Sequence, residues 1–273
     1  MIDHPYNTEK LDLLRAWMRD AKRVMVAYSG GVDSSLLLRV ATEELEQDAL
    51  GIMAVSPSLP DGERQQAVEL AQVMGARLKL LPTQETDDVK YQANAPNRCF
   101  HCKDHVYRAL RRYADDHHFD VIADGMNVED TLDVRPGRAA AKLHDIQSPL
   151  HDLGFTKTDI REAARYLGLS NWNKPAAACL SSRIPYGTPV TVERLSQVER
   201  AEQALHGLGL HELRVRHHDS VARLEVPESS FDEVMHRRAA VIAAIKDAGY
   251  TFVSLDLQGL RCGSMNEVLA ARA

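Results

Sequence analysis

Residues 24–38 read Val-Met-Val-Ala-Tyr-Ser-Gly-Gly-Val-Asp-Ser-Ser-Leu-Leu-Leu, an apolar strand pattern, a glycine pair and three serines set directly before an amphipathic run. Gly30 and Gly31 let the backbone approach an anion closely. Ser29, Ser34 and Ser35 bring hydroxyls to the first turn of a helix whose unpaired N–H groups favour negative charge. That is the chemistry of a phosphate cradle. Asp33, a carboxylate in the same turn, makes electrostatic sense when a divalent cation such as Mg²⁺ bridges it to phosphate oxygens. The loop lacks the lysine of a Walker A sequence, so terminal phosphoryl transfer of the P-loop kind does not follow.

A second set of reactive groups is built on sulfur. Cys99-Phe-His-Cys102 stands just before a predicted helix, and Cys179 lies in the irregular segment Lys174-Pro-Ala-Ala-Ala-Cys-Leu-Ser-Ser-Arg183. A lone C-x-x-C is weakly specific. It serves as a redox pair, as packing thiols, as half of a zinc site closed by Cys262, His101 or another histidine, or as two ligands of a [4Fe–4S] cluster completed by Cys179. A three-cysteine cluster leaves one iron open for a substrate or an extra sulfide. The residues alone do not choose among these. In the strand-like run Arg214-Val-Arg216-His217-His218, the period of two puts Arg214, Arg216 and His218 on one face, suited either to a phosphate or to solvent. Lys103 and Arg183, beside the cysteines, are further candidates for phosphate or carboxylate contacts.

The elements that must position these groups alternate. After a helix over Thr8–Asp20 come a strand at Arg23–Tyr28, a helix at Ser34–Glu46, a strand at Leu50–Ser56, a helix at Gly62–Gly75 and a strand at Arg77–Leu81. A second round has a helix at His101–His117, a strand at Asp120–Asp124, an extended piece at Asp145–Leu150 and a helix at Thr156–Leu167. Such alternation predicts an α/β fold with a parallel sheet covered on both faces. The nearly continuous apolar runs Val24–Val26, Ile52–Val55 and Val121–Ala123 suit strands buried on both sides. Loops at the carboxyl ends of such strands converge over a crevice, where the glycine loop and the cysteine segments are expected. Prolines, glycines and asparagines between Ser170 and Val190 place a boundary there, giving a first domain over 1–175 and a smaller α+β domain over 176–273. Within the second, a helix at Val192–Leu205 precedes strands at Glu212–His217 and Val221–Val226, a helix over Glu228–Ala248 and a strand at Thr251–Leu257.

Composition bounds the function. A chain of 273 residues with 44% hydrophobic content can bury a substantial core, and a net charge of −6 argues against a general nucleic-acid binder. Four cysteines in this length do not make a disulfide scaffold. No signal-peptide pattern opens the sequence and no run approaches the ~18 apolar residues of a membrane span, so the expected setting is cytoplasmic, without a membrane partner.

The wording Ser-Gly-Gly-x-Asp-Ser-Ser resembles the pyrophosphatase loop of the ATP pyrophosphatases, which include GMP synthetase, NAD synthetase and the tRNA thiolases. That resemblance implies cleavage of ATP between its α and β phosphates and an adenylated product. Taken with Asp124-Gly-Met-Asn127, Asp133-Val-Arg-Pro-Gly137, Asn171-Trp-Asn-Lys174, Cys179-Leu-Ser-Ser-Arg-Ile-Pro-Tyr-Gly-Thr188, Arg214-Val-Arg216 and Leu255-Asp-Leu-Gln-Gly259, it makes the chain similar almost end to end to LarE. LarE is the family of sulfur transferases that build the nickel-pincer nucleotide cofactor.

The resemblance implies ATP on Ala27, Ser29, Gly30, Gly31, Asp33, Ser34, Ser35, Met53, Gly125 and Arg135, with Mg²⁺. It implies substrate contacts at Lys103, Ser182, Arg183, Arg214 and Arg216, and a sulfur-transferring Cys179. The extra C-x-x-C implies the cluster-bearing type, with Cys99, Cys102 and Cys179 as ligands of a [4Fe–4S] cluster. The implied substrate is pyridinium-3,5-biscarboxylic acid mononucleotide, served by a sulfide or persulfide donor, and the implied assembly is a homo-oligomer, a hexamer. Glu202 matches one of the family's secondary metal-binding carboxylates, without a matching partner near Arg237–Ala240. A tRNA thiolase and a zinc-stabilised nucleotide-binding module are the competing functions, and Cys262 is expected as a packing residue.

Overall fold

A computed structural model of the chain describes residues 8–131, 137–175, 178–261 and 263–267. Helix α1 (Glu9–Ala21) buries Leu11, Leu14 and Met18, the helical spacing that makes one face apolar, and leads into β1 (Val24–Ala27). Then follow α2 (Val32–Leu45), β2 (Ala49–Val55), α3 (Asp61–Val73), β3 (Leu78–Pro82), the short α4 (Val89–Gln92), α5 (Arg98–Asp116) and β4 (Val121–Ala123). After these come α6 (Gly137–Leu143), β5 (Ile146–Gln147), α7 (Pro149–Asp152) and α8 (Lys157–Tyr166). The remainder is α9 (Val192–Gly207), β6 (Arg214–His218), β7 (Val221–Glu225), α10 (Phe231–His236), α11 (Arg238–Asp247) and β8 (Phe252–Leu255).

The described residues fall into two compact units, one drawn from 8–56, 61–85 and 99–175, the other from 57–60, 86–98 and 178–267. In the first, five strands form a parallel sheet in the order β3-β2-β1-β4-β5, with Met25 opposite Leu50 on one side and Ile122 on the other. This is the α/β parallel sheet expected of the ATP pyrophosphatase fold. Strand order reverses across β1 and β4, so the loops leaving their carboxyl ends flank the switch point where α/β sheets bind ligands. Met25, Ile52, Leu110, Ala114 and Ile122 are shielded from water in one packed cluster, each large apolar side chain contributing about 1.5–3 kcal/mol.

The second unit has its own sheet in the order β6-β7-β8. Strands β6 and β7 are an antiparallel hairpin turned through Asp219, which adopts the left-handed conformation that aspartate tolerates. Strand β8 pairs parallel to β7 after the α10–α11 crossover. Val215, Ala222, Leu224, Val241 and Ile245 fill its core.

Two expected elements differ. The helix expected over Glu228–Ala248 is divided at Arg237, whose ψ of 14° departs from helical geometry and whose guanidinium donates to the carbonyl of Leu208, the capping residue of α9. The extended piece expected at Asp145–Leu150 is a strand of two residues, because Pro149 takes the first turn of α7, where its fixed φ and missing N–H cost nothing. Among the described residues, no helix is long and apolar enough to cross a membrane.

Asn94 is the main polar fastening of the second unit. Fully buried, its Nδ2 donates to the carbonyls of Ile184, Pro185 and Thr188 at 3.2, 2.8 and 2.9 Å, and its Oδ1 accepts from Arg98. Asn94→Ala strands these groups and is expected to cost roughly 3 kcal/mol in urea unfolding. His217, 3% exposed, meets the Tyr250 hydroxyl through Nδ1 at 3.1 Å. Burial, reinforced by the Arg194 charge, holds its pKa below the ordinary 6.5. The unfolded chain therefore takes up the proton first as pH falls below 6.5, and stability is lost from there down to the lower folded pKa. Urea midpoints at pH 7.5 and 5.5 should show a larger drop for the wild type than for His217→Asn.

Candidate active site

The glycine loop is held on both sides by glycines that have no room for a side chain. Gly30 sits at φ +76°, and a Cβ there would lie 2.5 Å from the Cβ of Ala67 on α3. Gly125, just past β4, lies against the loop itself, where a Cβ would come within 2.8 Å of the Ser34 nitrogen and 3.1 Å of the Asp33 carbonyl carbon. Hydrogen bonds close the turn. Ser34 Oγ donates to the Gly31 carbonyl at 3.1 Å and stands 3.1 Å from Ser29 Oγ, while Ser35 N donates to the Gly31 carbonyl at 2.9 Å to begin α2. Asn171 Nδ2 reaches both the Gly30 carbonyl, at 3.1 Å, and Ser35 Oγ, at 3.0 Å.

Asp124 fixes Gly125. Its Oδ2 accepts from the Tyr107 hydroxyl at 2.8 Å, and its Oδ1 accepts from Ser148 Oγ at 2.8 Å and from Met126 N at 3.1 Å. Burial and the adjacent Asp124 push the Tyr107 hydroxyl well above its usual pKa, so it stays a donor. Tyr107 belongs to α5, the helix whose first turn carries Cys99 and Cys102.

The loop's carboxylate is electrostatically unfinished. Asp33 Oδ2 accepts from Lys157 Nζ at 2.7 Å, whereas Asp33 Oδ1 is buried without a hydrogen-bond partner among the described residues. Burial raises its pKa above the ordinary carboxylate value despite the pull of Lys157. A hard cation is the natural partner for such an oxygen. Beside Gly30 opens a pocket of about 500 Å³ bordered by Gln66, Leu70, Asn171 and Lys174, within the size range of small-molecule sites.

Other expected site residues are distributed as follows. Ala27 ends β1 and Met53 is a buried residue of β2. Arg135 and Cys262 lie outside the described residues. Cys99 and Cys102 lie in the first unit and Cys179 in the second; Cys99 and Cys179 are exposed and Cys102 is half-buried. No group of three or more His, Cys, Asp or Glu side chains is gathered as a metal site among the described residues. Lys103 is exposed, its Nζ 5.7 Å from the centre of the Tyr107 ring.

Cys179 caps a short 3-10 segment, Leu180–Arg183. Arg183, buried, donates from Nη1 to the carbonyls of Ala178 and Cys179 at 2.6 and 3.0 Å and forks onto Glu202 at 3.0 and 3.2 Å. Its guanidinium holds the cysteine loop. Glu202 is committed in turn, since its Oε1 also accepts from Val215 N at 2.9 Å. Ser182 Oγ donates to the Cys179 carbonyl at 2.7 Å.

Arg216, 2% exposed, pairs with Glu225 at 2.7 Å and donates to Ser264 Oγ and the Ser182 carbonyl, while its Nε is buried without a partner among the described residues. Burial lowers its pKa, as do the charges of Arg214 and Arg183. Arg214 is half-buried, with Nη1 3.5 Å from the Arg261 carbonyl, and His218 is exposed. The alternating pattern puts Arg214, Arg216 and His218 on one face, and burial along β6 grades them from half-buried to buried to exposed.

Over 95% of its length the chain is 40% identical to an uncharacterized protein of Synechocystis sp., covering 98% of that protein. Over 96% of its length it is 36% identical to pyridinium-3,5-bisthiocarboxylic acid mononucleotide synthase of Lactiplantibacillus plantarum, covering 95% of that enzyme. The chain belongs to the LarE family. This LarE-family chain also shares 23% identity, over 70% of its length and 66% of the relative's, with a glutamine-hydrolyzing GMP synthase component of Archaeoglobus fulgidus. No family model matches the chain.

Asn171 and Lys157 are the site residues that sequence reasoning did not single out for this role. Asn171 stands in the Asn171–Lys174 motif, but its residue type alone assigns it no task. Lys157 carried no signal beyond its place at the start of a helix, 124 positions from Asp33. Gly125→Ala is expected to weaken binding of inorganic pyrophosphate about 10-fold or more, because relieving the clash must displace the loop backbone. Gly62→Ala on α3, where an added Cβ meets nothing within 4 Å, should leave it unchanged; calorimetric titration compares the two.

Proposed function

We propose that this LarE-family protein is an ATP-dependent sulfur transferase. It would adenylate the carboxylates of pyridinium-3,5-biscarboxylic acid mononucleotide and convert them to thiocarboxylates in nickel-pincer cofactor synthesis. The observation that carries the activation half is the loop geometry: a helix N-terminus, paired glycines, converging hydroxyls and a carboxylate with a free buried oxygen, all at the sheet's switch point. The choice of substrate is supported by the similarity to the Lactiplantibacillus plantarum synthase.

In this reading the backbone N–H groups at Gly31–Ser34, with the hydroxyls of Ser29, Ser34 and Ser35, bind the phosphates of ATP, and Asp33 Oδ1 would hold Mg²⁺. Ala27, Met53, Gly125 and Arg135 belong to the nucleotide site. A substrate carboxylate oxygen bonds to the α-phosphorus as the bond to the bridging oxygen breaks, and pyrophosphate leaves. A sulfur nucleophile then adds to the acyl carbon, and AMP departs with the electron pair of the carbon–oxygen bond. Arg214 is assigned to the substrate's phosphoryl group, and Lys103 and Ser182 to its carboxylates, while Arg216, buried against Glu225, acts through the Ser182 carbonyl that it holds. Arg183 acts through the Cys179 loop that it holds. Cys99, Cys102 and Cys179 are assigned as ligands of a [4Fe–4S] cluster, on the softness of their thiolates as donors. When bound, the cluster would supply the sulfur-handling chemistry, and a sulfide or persulfide donor would replenish the sulfur. The protein is proposed to work in the cytoplasm as a homo-oligomer, a hexamer.

The test is anaerobic reconstitution with iron and sulfide, then incubation with MgATP and the pyridinium dicarboxylate nucleotide. More than one equivalent of thiocarboxylate per chain is expected, with matching AMP. A yield capped at one sulfur, with Cys179 converted to dehydroalanine, would refute the catalytic cluster in favour of sacrificial transfer. No AMP at all would refute the adenylation step.

A further inference from the structure

The anion-binding loop contains no cationic side chain, yet its ligand under the proposed function is a triphosphate. The amino end of α2 contributes only about half an elementary charge, and Asp33 subtracts one. Among the described residues, the one cationic group that hydrogen-bonds to residues 29–35 is Lys157, at 2.7 Å from Asp33 Oδ2.

Its backbone is fastened from several directions. Lys157 is the first residue of α8, directly after the capping box in which Thr156 and Asp159 satisfy each other's backbone nitrogens. Asp159 is itself paired with Lys10 at 2.7 Å, and the Lys157 nitrogen donates to Glu129 Oε1 at 2.8 Å. The Lys157 side chain, by contrast, remains 38% exposed even though it is ion-paired with Asp33. A fixed base with a four-carbon stem carries an ammonium that can move by several ångströms without disturbing the helix.

We propose that Lys157 is a polyphosphate-binding residue, held on Asp33 before nucleotide binds and transferred to the β- and γ-phosphate oxygens when nucleotide and Mg²⁺ arrive. This rests on the proposal that the loop binds MgATP. The exchange follows from charge. Mg²⁺ on Asp33 Oδ1 would neutralise the carboxylate whose Oδ2 holds the ammonium at 2.7 Å, which weakens that ion pair and leaves Lys157 facing newly arrived phosphate oxygens beside Asp33. A lysine supplied from α8, far along the chain, thereby does what a loop lysine does in Walker A sequences. After cleavage the same ammonium retains its hold on pyrophosphate rather than on AMP.

The full-length protein and its Lys157→Met and Lys157→Gln variants test this by calorimetric titration with MgATP, magnesium pyrophosphate and AMP, alongside thermal melting. Glutamine keeps a hydrogen-bond donor for Asp33 without the charge, so it reports on binding even if the methionine variant folds poorly. Both variants should bind MgATP and magnesium pyrophosphate roughly 10- to 100-fold more weakly, the worth of a charge-assisted phosphate contact. AMP should change by less than about threefold on the same scale. Mn²⁺ without nucleotide should bind the variants more tightly than the wild type, because the Asp33 charge is no longer neutralised by the ammonium. Variants that bind MgATP within about threefold of the wild type would overturn the proposal and leave a purely structural ion pair, whatever their melting temperature. Equal losses for AMP and MgATP would also overturn it. A wild type that binds neither MgATP nor pyrophosphate would instead refute the assignment of the loop itself.

Discussion

The close approach of the β4 end to the start of α2 is the contact on which the first unit's site depends. Strand β1 pairs with β4, so the loops leaving both strands must share the same space above the sheet. They can do so because position 125 has no side chain, and a Cβ there would meet the Ser34 nitrogen at 2.8 Å. Gly30 resolves the same crowding against Ala67 on the other flank. A loop clamped between two such contacts is pre-organised, so the entropy of ordering its N–H groups is spent at folding rather than at ligand binding. The buried Tyr107–Asp124–Ser148 network carries the constraint to α5, so the helix bearing two of the cysteines is tied to the strand end that shapes the anion site.

Electrostatics divides the arginines and lysines into those that build and those that remain available. Arg183 and Arg216 are buried and paired with Glu202 and Glu225, and removing one member of such a pair typically costs about 3–5 kcal/mol because the other is left charged in a poor solvent. Their hydrogen bonds to the carbonyls of Ala178, Cys179 and Ser182 mean that this cost maintains the shape of the cysteine loop. Lys157 and Arg214 are only partly buried and keep solvent-facing surface. Charge type predicts attraction to phosphate in all four cases, and burial decides which of them can act on a ligand directly.

The fold was largely readable because its signals are local: short apolar strands, helical spacing of buried residues and the glycine–serine loop between β1 and α2. The departures lie at two single residues, Arg237 and Pro149. Arg237 leaves helical geometry between α10 and α11, and Pro149, suited to a first helical turn, starts a helix where an extended run was expected. In the candidate site, the members of one contiguous motif were identifiable as a set. Asn171 and Lys157 were not, since their partners at Gly30, Ser35 and Asp33 are brought near only by folding.

The sequence by itself determined the chemical vocabulary: a glycine–serine loop without its own lysine, three cysteines outside it, arginines on a strand, and likeness to the LarE family. Residue type and short spacing suffice for these, because each depends on groups within a few residues of one another. Only the tertiary structure decided which charges are spent on the protein and which remain for a ligand. That division depends on burial and on partners more than a hundred positions away, as Lys157 and Asp33 are, and chain order does not encode such proximity locally.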